Sequence, residues 1–161
     1  MTRVFAAVLV FLFIQPENPV FAGEEKLEAA DVVPYLLGHW RFELGERTGG
    51  RIYTPLFGDN SAQVEEYFDE AAYIGKGLIQ YSADDGRFSS ALYFNVGVSD
   101  FVMGTFDEEG QSIIYRSVKE GSENLEMVFH IIGPDHFEYN TYQIDKGAHE
   151  RILHADFYRV K

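Results

Sequence analysis

The sequence predicts an all-β fold, a single up-and-down antiparallel β-barrel of about 8–10 strands that follows a short N-terminal helix. Stretches rich in Tyr, Phe, Val and Ile alternate apolar with polar residues, which is typical of strands that bury one face. Turn-forming segments separate them at short, regular intervals: GDNS (58–61), ADDGR (83–87), DEEGQ (107–111), KEGSEN (119–124), GPDH (133–136) and DKGA (145–148). A meander of such strands is expected to curl and close, because closure removes exposed edges.

Residues 1–22 are expected to form a secretory signal peptide. Arg3 precedes an 11-residue apolar segment, Val4 to Ile14, which is too short to span a bilayer. The following segment, QPENPVFA, breaks the helix and ends with small residues, Val20 and Ala22, at the positions that signal peptidase requires. Cleavage would leave a periplasmic or secreted protein that is not inserted in a membrane. An uncleaved anchor or a buried core helix is the alternative.

The composition of the chain narrows the classes of partner and of chemistry. A net charge of −13 argues against binding to nucleic acid, which depends on neutralising phosphates, and against docking on anionic lipid. The chain has no cysteine, so a cysteine nucleophile, a thiolate metal site and a disulfide are all excluded. Residues 23–161 are enough for one domain with its own core.

The lead-in, residues 23–38, contains the one helical candidate outside the signal segment, which Pro34 is expected to interrupt. The barrel domain, residues 39–161, follows. Pro55 should mark an edge or a bulge, and the third and fourth strands could be one bent strand, because only EAA separates them. The ten predicted strands are 39–45, 51–57, 62–69, 73–82, 86–96, 100–107, 111–118, 124–132, 136–144 and 150–160.

Alternation along each strand indicates which side chains point into the barrel. A barrel of this strand count is either filled by its own side chains or holds one small ligand. Two glycines within the fourth strand, Gly75 and Gly77, are read as a bend or bulge in the wall. The apolar side chains expected to contact a ligand in the lumen are Phe88, Leu92, Phe94, Met127, Phe129, Phe137 and Phe157.

The single tryptophan and an arginine near the end of the chain are expected to plug one end of the barrel. If the strand count is even, the first strand begins and the last strand ends at the same rim, where Trp40 and Arg159 both point inward. The guanidinium should then lie against the indole, and Gly38 should let the preceding helix cross that rim closely. A ligand would have to enter at the opposite rim.

The histidines and carboxylates do not assemble a clear catalytic or metal site. His154 and Asp156 share a strand face, but two ligands without a third make no metal site, and that face should point to solvent. A haem-binding barrel would need one inward histidine near a rim, for which His136 is the best candidate. No cofactor and no metal are therefore expected.

The chain resembles an exported bacterial family of lipocalin-like, calycin-type domains of unknown function. The resemblance lies in GHW, which opens the first strand, in GKGLIQYSADDGRF followed by GTFDEEGQSI, and in the ending HFEYNTYQIDKGAHERILHADFYRVK. It covers roughly residues 35 to 161. This chain departs from the family pattern at Ser82, and at Leu92 and Phe94. The resemblance implies a barrel with a small apolar ligand, and no established activity.

Three hypotheses of function follow from these observations. The first is an exported, non-catalytic barrel that binds a small apolar molecule in its lumen. The second is an enzyme that acts in the lumen, or a haem protein, using histidines and carboxylates. The third is a structural or interaction module whose barrel is filled by its own side chains. The apolar patterning and the lack of a catalytic constellation favour the first.

Overall fold

The fold was taken from a computed structural model, which describes residues 26–69, 71–95, 97, 99–117 and 124–161. The predicted signal peptide and its cleavage site lie outside these residues. The described residues form a short helix, α1 (Val32–Leu36), and ten strands. The strands are β1 (Gly38–Leu44), β2 (Arg47–Pro55), β3 (Ser61–Phe68), β4 (Ala71–Ser82), β5 (Arg87–Phe94), β6 (Ser99–Asp107), β7 (Ser112–Ser117), β8 (Leu125–Gly133), β9 (His136–Asp145) and β10 (Ala148–Arg159).

The ten strands close into one antiparallel barrel, as the alternation predicted. Each strand pairs with the next along the chain, and β10 pairs with β1 from Trp40↔Arg159 to Glu43↔Asp156. β3 and β4 are two strands and not one bent strand, because they pair with each other along their length. The stretch EAA is not the connection between them, since β4 already begins at Ala71. Pro55 is neither at a sheet edge nor at a bulge, because the barrel is closed and β2 pairs with β3 without a register shift. It is the last residue of β2, beyond the Gly38↔Tyr53 pair where the pairing with β1 ends, so no hydrogen bond to β1 is lost.

The helix is shorter than predicted, and Pro34 does not interrupt it. Pro34 lies in the first turn of α1, where a backbone N–H has no acceptor within the helix, so proline is tolerated. A single 3₁₀ turn, Ala29–Asp31, leads into the helix. Four of the five residues of α1 are buried, since the helix packs across one end of the barrel. Within the described residues, no helix has the length and apolar character needed to cross a bilayer.

The two glycines of β4 are not at a bulge. Gly75 and Gly77 pair regularly with residues of both neighbouring strands, and the irregularity of the β3–β4 pair lies between Tyr67 and Phe68. A Cβ at Gly75 would lie 2.4 Å from the ring of Phe94, and one at Gly77 would lie 1.8 Å from the carbonyl oxygen of Ala91. The glycines are therefore needed for close packing against β5.

The two rims of the barrel differ. The start of β1 and the end of β10 meet at the rim that α1 covers, called here the helix rim. The turns that follow odd-numbered strands lie at the opposite rim, called here the far rim. One of them joins β1 to β2 at residues 45–46, and another joins β9 to β10 at residues 146–147.

Candidate functional site

The barrel encloses a cavity of about 570 Å³. Every strand contributes to its wall, and most of the side chains are aliphatic or aromatic. Leu44, Arg47, Phe68 and Phe94 belong to the wall, and each stands next to a turn of the far rim. Because α1 closes the other end, the far rim is where a ligand would enter.

The structure places five of the seven predicted lumen residues on the cavity wall: Leu92, Phe94, Met127, Phe129 and Phe157. The other two, Phe88 and Phe137, are completely buried and are not part of the wall. Phe137 packs 4.7 Å from the indole of Trp40, measured between ring centres. Alternation identifies an inward side chain but not its depth, so it could not separate the wall from the packed core beneath α1.

The cavity also has polar residues that the sequence analysis missed. Arg51, Tyr53, Glu66 and Tyr115 line the same wall, and we call them the lumen polar cluster. All four are buried, with between 1 and 8 % of their surface exposed. The available signal was alternation: Glu66 shares a face with the apolar residues Val64 and Phe68.

Arg51 and Glu66 form a buried ion pair between directly opposed residues of β2 and β3. The Arg51 Nε donates to Glu66 Oε2 at 2.8 Å, and Nη2 donates to the same oxygen. Nη1 donates to the hydroxyl of Tyr53 at 3.3 Å. The guanidinium carbon also lies 4.9 Å from the ring centre of Phe157. Hydrogen bonds and an aromatic face thus hold this charge inside the barrel.

The protonation of the lumen polar cluster follows from its burial and its charges. Burial by itself lowers the pKa of Arg51, but Glu66 and Tyr53 outweigh burial and raise that pKa, so the guanidinium stays charged. Burial raises the pKa of Tyr53, and it raises the pKa of Tyr115 well above the ordinary value. Both phenols therefore keep their protons at neutral pH. The cluster consists of one cation, one anion and two neutral phenols.

The hydroxyl of Tyr115 differs from the other polar groups of the cluster. It is buried, and it has no hydrogen-bond partner within the described part of the chain. Buried hydroxyls normally have a partner, because burying one without a hydrogen bond costs free energy.

The contact expected between Trp40 and Arg159 is present at the helix rim. The guanidinium carbon of Arg159 lies 4.2 Å from the centre of the indole ring. Its two terminal nitrogens donate to the carbonyl oxygens of Leu37 and Tyr35, each at 2.6 Å. The indole N–H of Trp40 donates to the carbonyl oxygen of Leu36 at 2.7 Å. The pair thus binds the carbonyls at the end of α1, which are free because a helix ends there.

Gly38 is required by the same arrangement at the helix rim. Its φ is +113°, a conformation that favours glycine, and an added Cβ would lie 3.3 Å from Nη1 of Arg159. A side chain at this position would therefore strain the backbone and crowd the guanidinium.

The histidines considered for chemistry are not in the cavity wall. His136 Nε2 lies 3.0 Å from Asp156 Oδ1, and His154 Nε2 lies 3.2 Å from Asp156 Oδ2. The ring of His136 stacks at 4.5 Å on Tyr158, which is half exposed on the outer face. His136 is thus not the inward histidine that the haem hypothesis needed. Among the described residues, no three His, Asp or Glu side chains are grouped so that they could hold a metal ion.

The fold and the cavity define the chain as a closed ten-stranded antiparallel β-barrel with an internal cavity. No protein-family model and no curated protein matches the sequence. Among solved structures, a redesigned β-barrel is similar at 11 % sequence identity with a TM-score of 0.44, over 83 % of this chain and 96 % of that one. The resemblance to exported lipocalin-like domains stays a prediction.

Proposed function

We propose that this protein is an exported, non-catalytic barrel that binds one small, largely apolar molecule in its lumen. The observation that carries the proposal is the cavity of about 570 Å³, whose size lies within the range of small-molecule sites. A barrel filled by its own side chains, the structural-module hypothesis, would not leave such a volume. The mainly apolar wall favours a ligand whose surface is mainly apolar.

The polar groups of the cavity favour binding over catalysis. Arg51 and Glu66 are bonded to each other, and the pKa values of Tyr53 and Tyr115 are raised. A general base needs a pKa near the working pH and access to a substrate proton. Phenols with raised pKa values do not meet the first condition, and Oε2 of Glu66 is already bound by two nitrogens of Arg51.

A charge placed on the cavity wall is expected to abolish ligand binding. Phe94 lies on the wall beside the far rim, so Phe94→Glu would put a carboxylate where the ligand needs an apolar surface. An apolar fluorescent probe should bind the natural protein with roughly micromolar affinity, and this variant at least about tenfold more weakly. Titration of probe fluorescence measures both affinities.

The matched control for Phe94→Glu is Tyr93→Glu. Tyr93 is the preceding residue of β5, but it is 67 % exposed on the outer face. Its substitution should leave probe binding unchanged. Circular dichroism should show the same β-sheet content for both variants. Equal probe binding by the Phe94 variant and the natural protein would place the site outside the lumen.

The proposed export of the protein leads to a separate prediction, which concerns its N-terminus. If the signal peptide is cleaved after Ala22, the mature protein begins at Gly23. N-terminal sequencing of material from the periplasm or the culture medium checks this. Recovery of the protein only inside the cell, with Met1 retained, would disprove the proposed compartment and leave the ligand-binding proposal to its own test.

A further inference from the structure

We infer that the ligand is uncharged and carries one acceptor oxygen, such as a ketone or ester carbonyl, on an otherwise apolar body, and that Tyr115 donates a hydrogen bond to this oxygen. The inference rests on the proposed function, because it names the class of molecule that the same cavity takes. Three features carry it: an unpaired donor, a neutralised cation, and, among the described residues of the wall, the lack of a second buried cation.

The unpaired donor is the hydroxyl of Tyr115. Tyr115 lines the cavity, is 1 % exposed, and has no partner for its hydroxyl among the described residues. Because burial raises its pKa well above the ordinary value, the hydroxyl keeps its proton and acts as a donor. The free energy lost by burying an unpaired donor is regained when a ligand brings an acceptor. A pure hydrocarbon would fill the cavity but leave this donor unsatisfied.

The neutralised cation is Arg51, which decides the charge of the ligand. Its Nε and Nη2 donate to Glu66, and its Nη1 donates to Tyr53. The ion pair therefore has no net charge, and a ligand carboxylate beside it would be a buried anion without a counterion. Among the described residues, the other cation in the wall is Arg47, which is exposed and lies at the far rim on β2, whereas Tyr115 lies on β7. An anionic ligand would have to place its head group there instead.

The experiment compares three molecules of equal chain length: a medium-chain methyl ketone, the corresponding alkane and the corresponding fatty acid. Each displaces the fluorescent probe from the natural protein and from the Tyr115→Phe variant. We expect the natural protein to bind the ketone about tenfold more tightly than the alkane, as one well-formed hydrogen bond allows. In Tyr115→Phe, the ketone should lose this advantage while the affinity for the alkane stays the same.

Tyr93→Phe is the matched control, because it removes a phenol hydroxyl from the outer face of the barrel, where Tyr93 is 67 % exposed. This variant should keep both the ketone affinity and the alkane affinity. Thermal melting checks the fold: Tyr115→Phe removes an unpaired buried hydroxyl, so it should melt no lower than the natural protein.

Each of the other possible results of this experiment would disprove either the donor role of Tyr115, the uncharged ligand or the proposed function. Equal binding of ketone and alkane by the natural protein, or an unchanged ketone affinity in Tyr115→Phe, would disprove the donor role while the lumen still binds apolar molecules. Tightest binding of the fatty acid, weakened by Arg47→Ala, would show an anionic ligand held at the far rim. Failure of the natural protein to bind the probe or any of the three molecules would disprove the proposed function, and this inference with it.

Discussion

Glu66→Ala is expected to lower the free energy of unfolding by about 3–5 kcal/mol, because it leaves the guanidinium of Arg51 buried without its counterion. Arg51 and Glu66 are only 6 and 8 % exposed, so water in the cavity replaces the lost partner only in part. Tyr53 and the ring of Phe157 remain in contact with Arg51, but neither carries a charge. Urea denaturation followed by circular dichroism measures the change.

The chain offers a matched control at the adjacent position. Glu65 pairs with Lys76 at 3.0 Å on the outer face, where the two side chains are 39 and 64 % exposed. Glu65→Ala should cost less than about 1 kcal/mol, because exposed ion pairs contribute little. A similar loss for both variants would show that the position of the Arg51–Glu66 pair inside the barrel has no special importance.

A double variant separates the loss of the pair from the cost of a lone charge. Arg51→Met with Glu66→Leu replaces both charges by apolar side chains of similar length, so no unpaired charge is left. Most of the stability lost in Glu66→Ala should return. If the double variant is as unstable as the single one, the ion pair itself, and not the unpaired guanidinium, accounts for the loss.

Trp40→Ala is expected to be as damaging, with a loss of about 3–5 kcal/mol. Trp40 is completely buried, and it lies where β1 and β10 pair at the helix rim. Its removal leaves a cavity beside Phe137, removes the aromatic face under Arg159, and frees the carbonyl oxygen of Leu36. Thermal and urea denaturation followed by circular dichroism measure the loss, since this variant has no tryptophan fluorescence.

Two further variants serve as controls for the stability loss of Trp40→Ala. Phe57→Ala removes an aromatic ring that is 75 % exposed, and it should change the free energy of unfolding by less than about 0.5 kcal/mol. Trp40→Phe keeps a ring against Arg159 but loses the N–H that donates to Leu36, so its cost should lie between the other two. A Trp40→Ala protein as stable as the Phe57 variant would mean that the helix rim closes without the indole.

The closure of the barrel could be predicted from the sequence because it depends on counting and alternation. An even number of strands brings the start of the first and the end of the last to one rim, and alternation then points Trp40 and Arg159 inward. The structure has ten strands with Trp40 opposite Arg159. The position of Pro34 was misjudged because its effect depends on where the helix begins. The prediction did not use Asp31, a residue type favoured at the N-cap, as the start that puts Pro34 in the first turn.

Alternation predicts the lumen polar cluster only in part, because it puts Glu66 on the inward face of its strand but does not identify its partner. Hydropathy assigns a lone Arg or Glu to solvent, and only the register of β2 and β3 shows that Arg51 and Glu66 stand opposite each other. The expected bounds of these two strands were uncertain around Pro55, so the register was not available. Which of the seven expected lumen residues line the wall, and which lie in the core, depends on the position of α1 over the helix rim. Alternation along the strands carries no information on that position.

The closing strand of this barrel is also the last to be synthesised. Until β10 is made, β1 and β9 lack one of their two partners, and β10 pairs with both. Arg159 then reaches back over 122 residues to the carbonyl oxygen of Leu37. At about 5–20 residues per second, a ribosome takes roughly ten seconds to deliver this partner. During that interval the growing chain has two open strand edges, which are templates for pairing with other chains. Folding of this barrel therefore cannot be completed before β10 has been synthesised.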